Sequence, residues 1–253
     1  MHSRDSQPLQ PNALDAVDGV LFTLRHSEHI DEAWQVLLVQ REDAAFAGKR
    51  SLPGVLVRAE ETFDAAARRA LHTKAGLDAA GWYLEQLGTF SAPDRDTRGR
   101  VVSVAHVALQ RTDELTLVPG GGIMRAEWAP VRSVFGEELA FDHDAMLGAA
   151  VQRVQSKLRY SWLAFQVLPE TFTLPQLRAV YAAILDASLL RLNTSNLKKT
   201  FAPLLASGAL VPVGERASTT GAGRPGDLYR FQGPVAGTWE RELPWQEGSG
   251  VNE

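Results

Sequence analysis

Apolar residues in the first half of the chain gather in short runs, whereas in the second half they recur every three or four positions. Residues 17–24 (VDGVLFTL) and 34–40 (WQVLLVQ) read as buried strands, and the polar segment HSEHIDEA between them predicts a hairpin. The loop REDAAFAGKRSLPGVLV follows, with Gly48 and the turn pair Pro53 and Gly54. Over 62–75 the period lengthens to that of a helix: Phe63, Ala66, Ala67, Ala70, Leu71 and Lys74 keep to it, and Gly76 supplies a stop. Residues 82–90 and 101–109 read as strands on either side of the charged loop SAPDRDTRGR, and 126–130 as another. Gly120, Gly121 and Gly122 before that last strand read as a flexible turn, since the strand-then-helix context of a phosphate loop is missing. Strands mixed with a helix in this way predict an α+β or layered α/β fold.

From Asp142 the texture is helical. DHDAMLGAAVQRVQSKLRY carries an apolar stripe of Met146, Leu147, Ala150, Val154 and Leu158, with Asp142 as the expected N-cap. TLPQLRAVYAAILD is a second helix, with Thr173 and Gln176 at capping-box spacing. NTSNLKKTFAPLLASGAL is a third, although Pro203 cannot sit unstrained inside it. That helix is therefore expected to end or kink near Phe201, with Pro203 restarting a short turn. LVPVGE and DLYRF read as two short strands around the loop RASTTGAGRPG. Helix, turn, helix and a two-stranded wing give a winged helix-turn-helix. The expected divisions are a disordered segment at 1–13, a first domain at 14–150, the winged domain at 151–232 and an acidic flexible tail at 233–253.

Composition adds little to this division and removes some options. The chain has 253 residues, 45% hydrophobic and 22% charged, enough for a real core in one large or two ordinary domains. It has no cysteine, which excludes disulfides and thiolate metal sites and fits a cytoplasmic location. The first residues, MHSRDSQPLQPN, lack an apolar core, and no apolar run approaches the ~18 residues of a membrane span. A net charge of −4 gives no global signal for nucleic acid, so charge must be read locally.

Locally, the winged segment is basic. Between 191 and 230 stand Arg191, Lys198, Lys199, Arg216, Arg224 and Arg230 against only Glu215 and Asp227. Asn193, Thr194, Ser195 and Asn196, with Lys198 and Lys199, open the third helix with groups that bond phosphates and base edges. In helix-turn-helix proteins this end of the second helix enters the major groove. Arg224, in GAGRPG, is placed to reach the minor groove or the backbone, and Arg216 flanks the same loop. The competing reading is a winged domain for protein contacts, its lysines solvated.

The segment LPGVLVRAEETFDAAARRALHTKAGL resembles the Nudix box, the pattern G-x5-E-x7-R-E-U-x-E-E-x-G-U. In the best register Val55 stands where the first glycine belongs, Glu61 matches the first glutamate, Arg69 the arginine, Leu71 the apolar position, and Gly76 and Leu77 the end. Ala70, Thr73 and Lys74 occupy the three remaining glutamate positions. Nudix hydrolases cleave nucleoside diphosphates linked to another group, and the resemblance implies a Mg²⁺ or Mn²⁺ cluster held by those glutamates. Here alanine has no ligand atom, threonine is a weak one, and lysine places a cation where the metal belongs. No ordinary Nudix hydrolysis is expected, no metal is expected, and Glu61 and Arg69 are expected to pair and brace the loop against the helix. The competing reading is a hydrolase with unorthodox ligands such as Glu60, Glu61 and Glu85.

Together the halves resemble the Nudix-related transcriptional regulators, the NrtR family, over residues 15–231. Besides the box, the specific segments are LGTFSAPDRDTRGRVVSVAHVAL, LAFDHDAMLGAAVQRVQSKLRYSWLAFQVLPETFTLPQLRAVYAAIL and GRPGDLYRF. The resemblance implies an N-terminal Nudix-like α/β/α sandwich with a C-terminal winged helix-turn-helix. It further implies repression of NAD biosynthesis or salvage genes at a palindromic double-stranded DNA operator, release by ADP-ribose or a related nucleotide, a homodimer, and no required cofactor. Some relatives control sugar-use genes instead. A pyrophosphate calls for arginines, and the loop holding Arg95, Arg98 and Arg100, with Arg58 and Phe90 as neighbours, is the candidate effector site. A solvated turn braced by its own Asp–Arg pairs stands beside that reading. His72, His106 and His143 have no metal-ligand spacing and read as core or capping residues.

Overall fold

The computed structural model describes residues 13–25, 27, 29–42, 46–111, 115–185, 199, 201–217 and 226–233. The segments expected to be disordered or flexible, apart from Ala13 and Gly233, lie outside them. The first strand, β1 (Leu14–Leu24), starts three residues earlier than its apolar run. It forms the expected hairpin with β2 (Trp34–Arg41), and the polar turn between them carries a single helical turn, α1 (Ile30–Ala33). Two short strands follow in the segment read as loop: β3 (Arg50–Ser51) pairs with β2 and β4 (Gly54–Leu56) with β1.

Helix α2 (Phe63–Ala75) has the ends its sequence predicts. The Thr62 hydroxyl accepts from the Ala65 N–H at 3.2 Å, and Gly76 adopts the left-handed conformation, φ 71°, that lets its N–H close on the last turn. Next come β5 (Glu85–Phe90), β6 (Val101–Leu109), β7 (Ile123–Pro130) and the short α3 (Val131–Val134). β5 begins later than the apolar residues from Trp82 suggest, because Arg68 of α2 bonds the carbonyls of Ala79 and Trp82 and holds that stretch on the helix.

The seven strands form one sheet in the order β3-β2-β1-β6-β5, with β4 on β1 and β7 on β2. β1 and β6 run parallel at its centre and the other pairs are antiparallel. Alternation along β1 sends its side chains to two cores. Leu21 packs with Leu71 and Ala75 of α2, while Val20 and Phe22 pack with the long helix α4 (His143–Leu158) on the other face. Helices therefore cover both faces of a mixed sheet, the expected sandwich.

α4 does not stop at the expected boundary; residues 150 and 151 are consecutive positions inside it. Beyond it lie a 3-10 turn (Trp162–Val167), β8 (Thr171–Thr173) and α5 (Leu174–Ile184). The Thr173 and Gln176 capping box is formed, with the Gln176 side chain accepting from the Thr173 N–H at 2.8 Å. Phe201 is not helical, and α6 (Ala202–Ala206) restarts with Pro203 in its first turn, as the proline required. β9 (Leu210–Arg216) and β10 (Asp227–Phe231) form the wing, with β8 as a third strand in the order β8-β10-β9. Phe165, Phe172, Tyr181, Phe201 and Tyr229 extend the α4-side core into this half without a break.

Candidate functional site

The turn Leu52-Pro53-Gly54 brings the backbone against β1 at Asp18. A Cβ on residue 54 would stand 1.9 Å from the Asp18 carboxylate, so only glycine allows the approach. Asp18 is the one acid in the apolar centre of β1, 6% exposed, and it is fully bonded. Ser103 donates to it at 2.6 Å from β6, and Arg95 lies 3.5 Å away. His143 Nε2 stands 3.3 Å from its other oxygen, while His143 Nδ1 accepts from the Leu52 N–H at 2.9 Å. With Nδ1 committed as an acceptor, Nε2 carries the proton that faces Asp18. Burial alone would raise the Asp18 carboxyl. The imidazole of His143, the Ser103 hydroxyl and Arg95 outweigh it and hold the carboxyl below its usual range.

Arg95 links this cluster to α4. Its guanidinium donates to Asp142 at 2.7, 3.0 and 3.1 Å, with the side chain 3% exposed. Asp142 does precede α4, but its carboxylate makes no cap bond, because Arg95 occupies it. Phe141, one step earlier, is the only non-glycine among the described residues with positive φ, at 59°. Its ring lies 4.3 Å from that of Phe46, and the guanidinium carbons of Arg41 and Arg98 stand 4.9 and 5.4 Å from its centre.

A cavity of about 740 Å³ opens beside these groups, within the range of small-molecule sites. Its wall includes Arg41, Arg69, Lys74, Arg95, Arg98 and Arg100 against the carboxylates of Asp18 and Asp96. The three arginines of the candidate loop thus meet at one cavity. The loop is also braced by its own ion pair, since Arg98 donates to Asp96 at 2.8 and 3.0 Å. Arg100 donates to the Ser91 carbonyl at 2.6 Å. Arg58 is exposed and Phe90 packs against the α4-side core; neither lines the cavity. Asp18, His143, Arg41 and Phe141 line it and were not singled out as site residues from sequence.

On α2, Glu61 and Arg69 form the expected brace. Both bonds are 2.6 Å, and Arg69 also donates to the Leu56 carbonyl at 2.8 Å. Arg69 holds the Glu61 carboxyl well down, to about 2. Thr73 and Lys74 face the cavity, whereas Ala70 is fully buried and does not. The glycine turn lies on these residues: Cβ atoms on Gly120 and Gly121 would be 2.8 Å from the Thr73 carbonyl and the Thr73 methyl. The Lys74 ammonium donates to the Gly121 carbonyl. The turn is thus a packed cover for the end of α2, which only Cβ-free residues allow.

The described residues here do not fit a divalent metal. Among the described residues no cluster of three acidic or histidine side chains could hold one. Glu60 is exposed, Glu61 is taken by Arg69, and Glu85 lies in the α4 interface, bonded to Arg153 at 2.6 Å and to Lys157. His72 is exposed, His106 bonds the Val104 carbonyl at 3.2 Å, and His143 is committed as above.

In the winged half, Arg191, Asn193, Thr194, Ser195, Asn196, Lys198 and Arg224 lie outside the described residues. Lys199 is exposed, and Arg216, on the wing, stands 3.8 Å from Asp227. No helix among the described residues is long and apolar enough to cross a membrane.

A Nudix sandwich continued by a winged helix is the architecture of a Nudix-related regulator. The NUDIX domain family matches residues 18–148, and the NrtR DNA-binding winged helix domain matches residues 164–231. The chain is 30% identical over 223 residues to the ADPR responsive transcriptional repressor NtrR of Acinetobacter baylyi, covering 87% of this chain and 83% of that protein. It superposes on Shewanella oneidensis NrtR, solved in complex with a 27mer DNA, with TM-score 0.73 and 29% identity, over 90% of this chain and 98% of that one. An ADP-ribose pyrophosphatase of Methanocaldococcus jannaschii is 32% identical over 132 residues, 52% of this chain and 69% of that protein. The chain belongs to the NrtR family.

Proposed function

We propose that this protein is a DNA-binding transcriptional repressor whose Nudix half senses ADP-ribose or a related NAD-derived nucleotide and does not hydrolyse it. The likeness to the ADP-ribose-responsive repressor of Acinetobacter baylyi across both halves carries this reading. The cation-lined cavity, beside a Nudix helix without its metal carboxylates, supports it. The winged half, with Lys199, Arg216 and the basic residues of its recognition segment, binds a palindromic double-stranded operator as part of a homodimer in the cytoplasm. The genes controlled are those of NAD synthesis or salvage, and no cofactor is required. Nucleotide binding favours one arrangement of the halves and so lowers DNA affinity.

The test is fluorescence anisotropy with the DNA upstream of the chain's own operon, at several salt and ADP-ribose concentrations. Binding that is sequence-selective, weakens with salt and is released by ADP-ribose is expected. Binding indifferent to sequence and to the nucleotide would overturn the reading. The pyrophosphatase likeness favours a second reading, residual hydrolysis. Mg²⁺-dependent turnover of ADP-ribose that is lost in Glu61→Gln would establish it.

A further inference from the structure

The Nudix fold implies a divalent metal, yet the residues at its place do not fit one. One former ligand position, Ala70, has turned into the core, 0% exposed. The next two, Thr73 and Lys74, still face the cavity. Lys74 is held there, its ammonium bonded to the Gly121 carbonyl and its helix covered by a glycine turn too close to admit a side chain. The fixed cation thus shares a wall with Arg69, Arg95, Arg98 and Arg100.

We propose that Lys74 takes the place of the metal, so that the cavity binds the pyrophosphate group of its nucleotide without any divalent cation. In a Nudix enzyme the metal does two things: it neutralises phosphate oxygens and it acidifies a bound water. An ammonium supplies charge and N–H donors but has no coordination position in which to activate water. Substituting lysine for the carboxylates therefore keeps recognition of the diphosphate and removes the nucleophile. The Gly121 carbonyl spares part of the ordering cost by fixing the flexible stem before the ligand arrives.

This inference rests on the nucleotide-sensing reading, and its test separates the two. Isothermal titration calorimetry on the full chain would use ADP-ribose and, separately, inorganic pyrophosphate, each in EDTA and in Mg²⁺. Both ligands are expected to bind in EDTA, with no strengthening by Mg²⁺. Lys74→Met is expected to weaken both at least tenfold at an unchanged melting temperature, and Lys74→Arg to recover part of the loss. Binding that requires Mg²⁺, or Lys74→Met equal to the parent, would overturn the proposal. Pyrophosphate binding that depends on Lys74, without ADP-ribose binding, would uphold the proposal and overturn the choice of nucleotide. No pyrophosphate binding in either buffer would overturn the proposal itself.

Discussion

Helices α2 and α4 cover opposite faces of one sheet, and their polar bonds run to different places. Among the described residues, the bonds of α2 include Arg69 to Glu61, Arg68 to Asp64 and to the 79–82 stretch, and Lys74 to Gly121, all within the Nudix half. Those of α4 reach both halves. At its start Asp142 and His143 meet Arg95 and Asp18 at the cavity, and along its length Arg153 and Lys157 hold Glu85 of β5. The Gln155 side chain donates to the Ile184 carbonyl at the end of α5, at 3.0 Å. The helix that carries chemistry in a Nudix enzyme here turns two cations, Arg69 and Lys74, to the cavity. The helix on the other face joins that cavity to the winged half, so a change at the cavity has a rigid element through which to act.

The contrast breaks most visibly if a carboxylate is put back on α2. Ala70→Glu buries a charge in a packed position and is expected to cost about 4 kcal/mol, a fall of roughly 10 °C in melting temperature by calorimetry. On the α4 side, Asp18→Asn removes the charge and one of the two acceptor oxygens that serve Ser103, His143 and Arg95, at an expected cost of about 3 kcal/mol in a urea titration.

The same variant sharpens the pH dependence. The folded Asp18 carboxyl lies below its unfolded value of ~4, so its contribution is complete above that value and is lost as pH falls through the folded one. The parent melting temperature is therefore expected to drop more steeply than that of Asp18→Asn as pH falls below ~4. Glu85→Gln, which loosens α4 from β5, is expected to cost only about 1 kcal/mol, because Arg153 and Lys157 are partly solvated. Smallest of all, Lys74→Glu alone is expected to give no Mg²⁺-dependent turnover of ADP-ribose by chromatography. Ala70 and Thr73 still lack carboxylates, and a single acid does not hold the metal.

Elements set by local physics were legible in the sequence. The strand alternation, the Thr62 and Gly76 ends of α2, the Thr173 and Gln176 capping box and the restart at Pro203 each depend on residues within one turn of each other. The cavity was legible only in its loop, at Arg95, Arg98 and Arg100. Asp18, Arg41, Phe141 and His143 come from segments up to 125 positions apart, and only the sheet brings them together. One signal was available: an acid inside the apolar run of β1 has to find buried partners. The close approach of Gly120 and Gly121 to Thr73 was not legible, because a run of glycines signals freedom and close approach alike. Asp142 was a sound N-cap by position, and a distant arginine claimed its carboxylate.

The unbroken core along α4 bears on how such a protein can be taken apart. Met146, Leu147, Ala150, Val151 and Val154 face the Nudix sheet, and the same apolar cluster runs through Leu158 and Phe165 to Tyr181. A cut between 150 and 151 would leave half of this stripe bare on each piece. The winged domain is thus not a cassette to be lifted onto another domain at that point. Any transplant has to carry the whole of α4 and the sheet face that it covers, and the two halves, sharing one core, are expected to melt together.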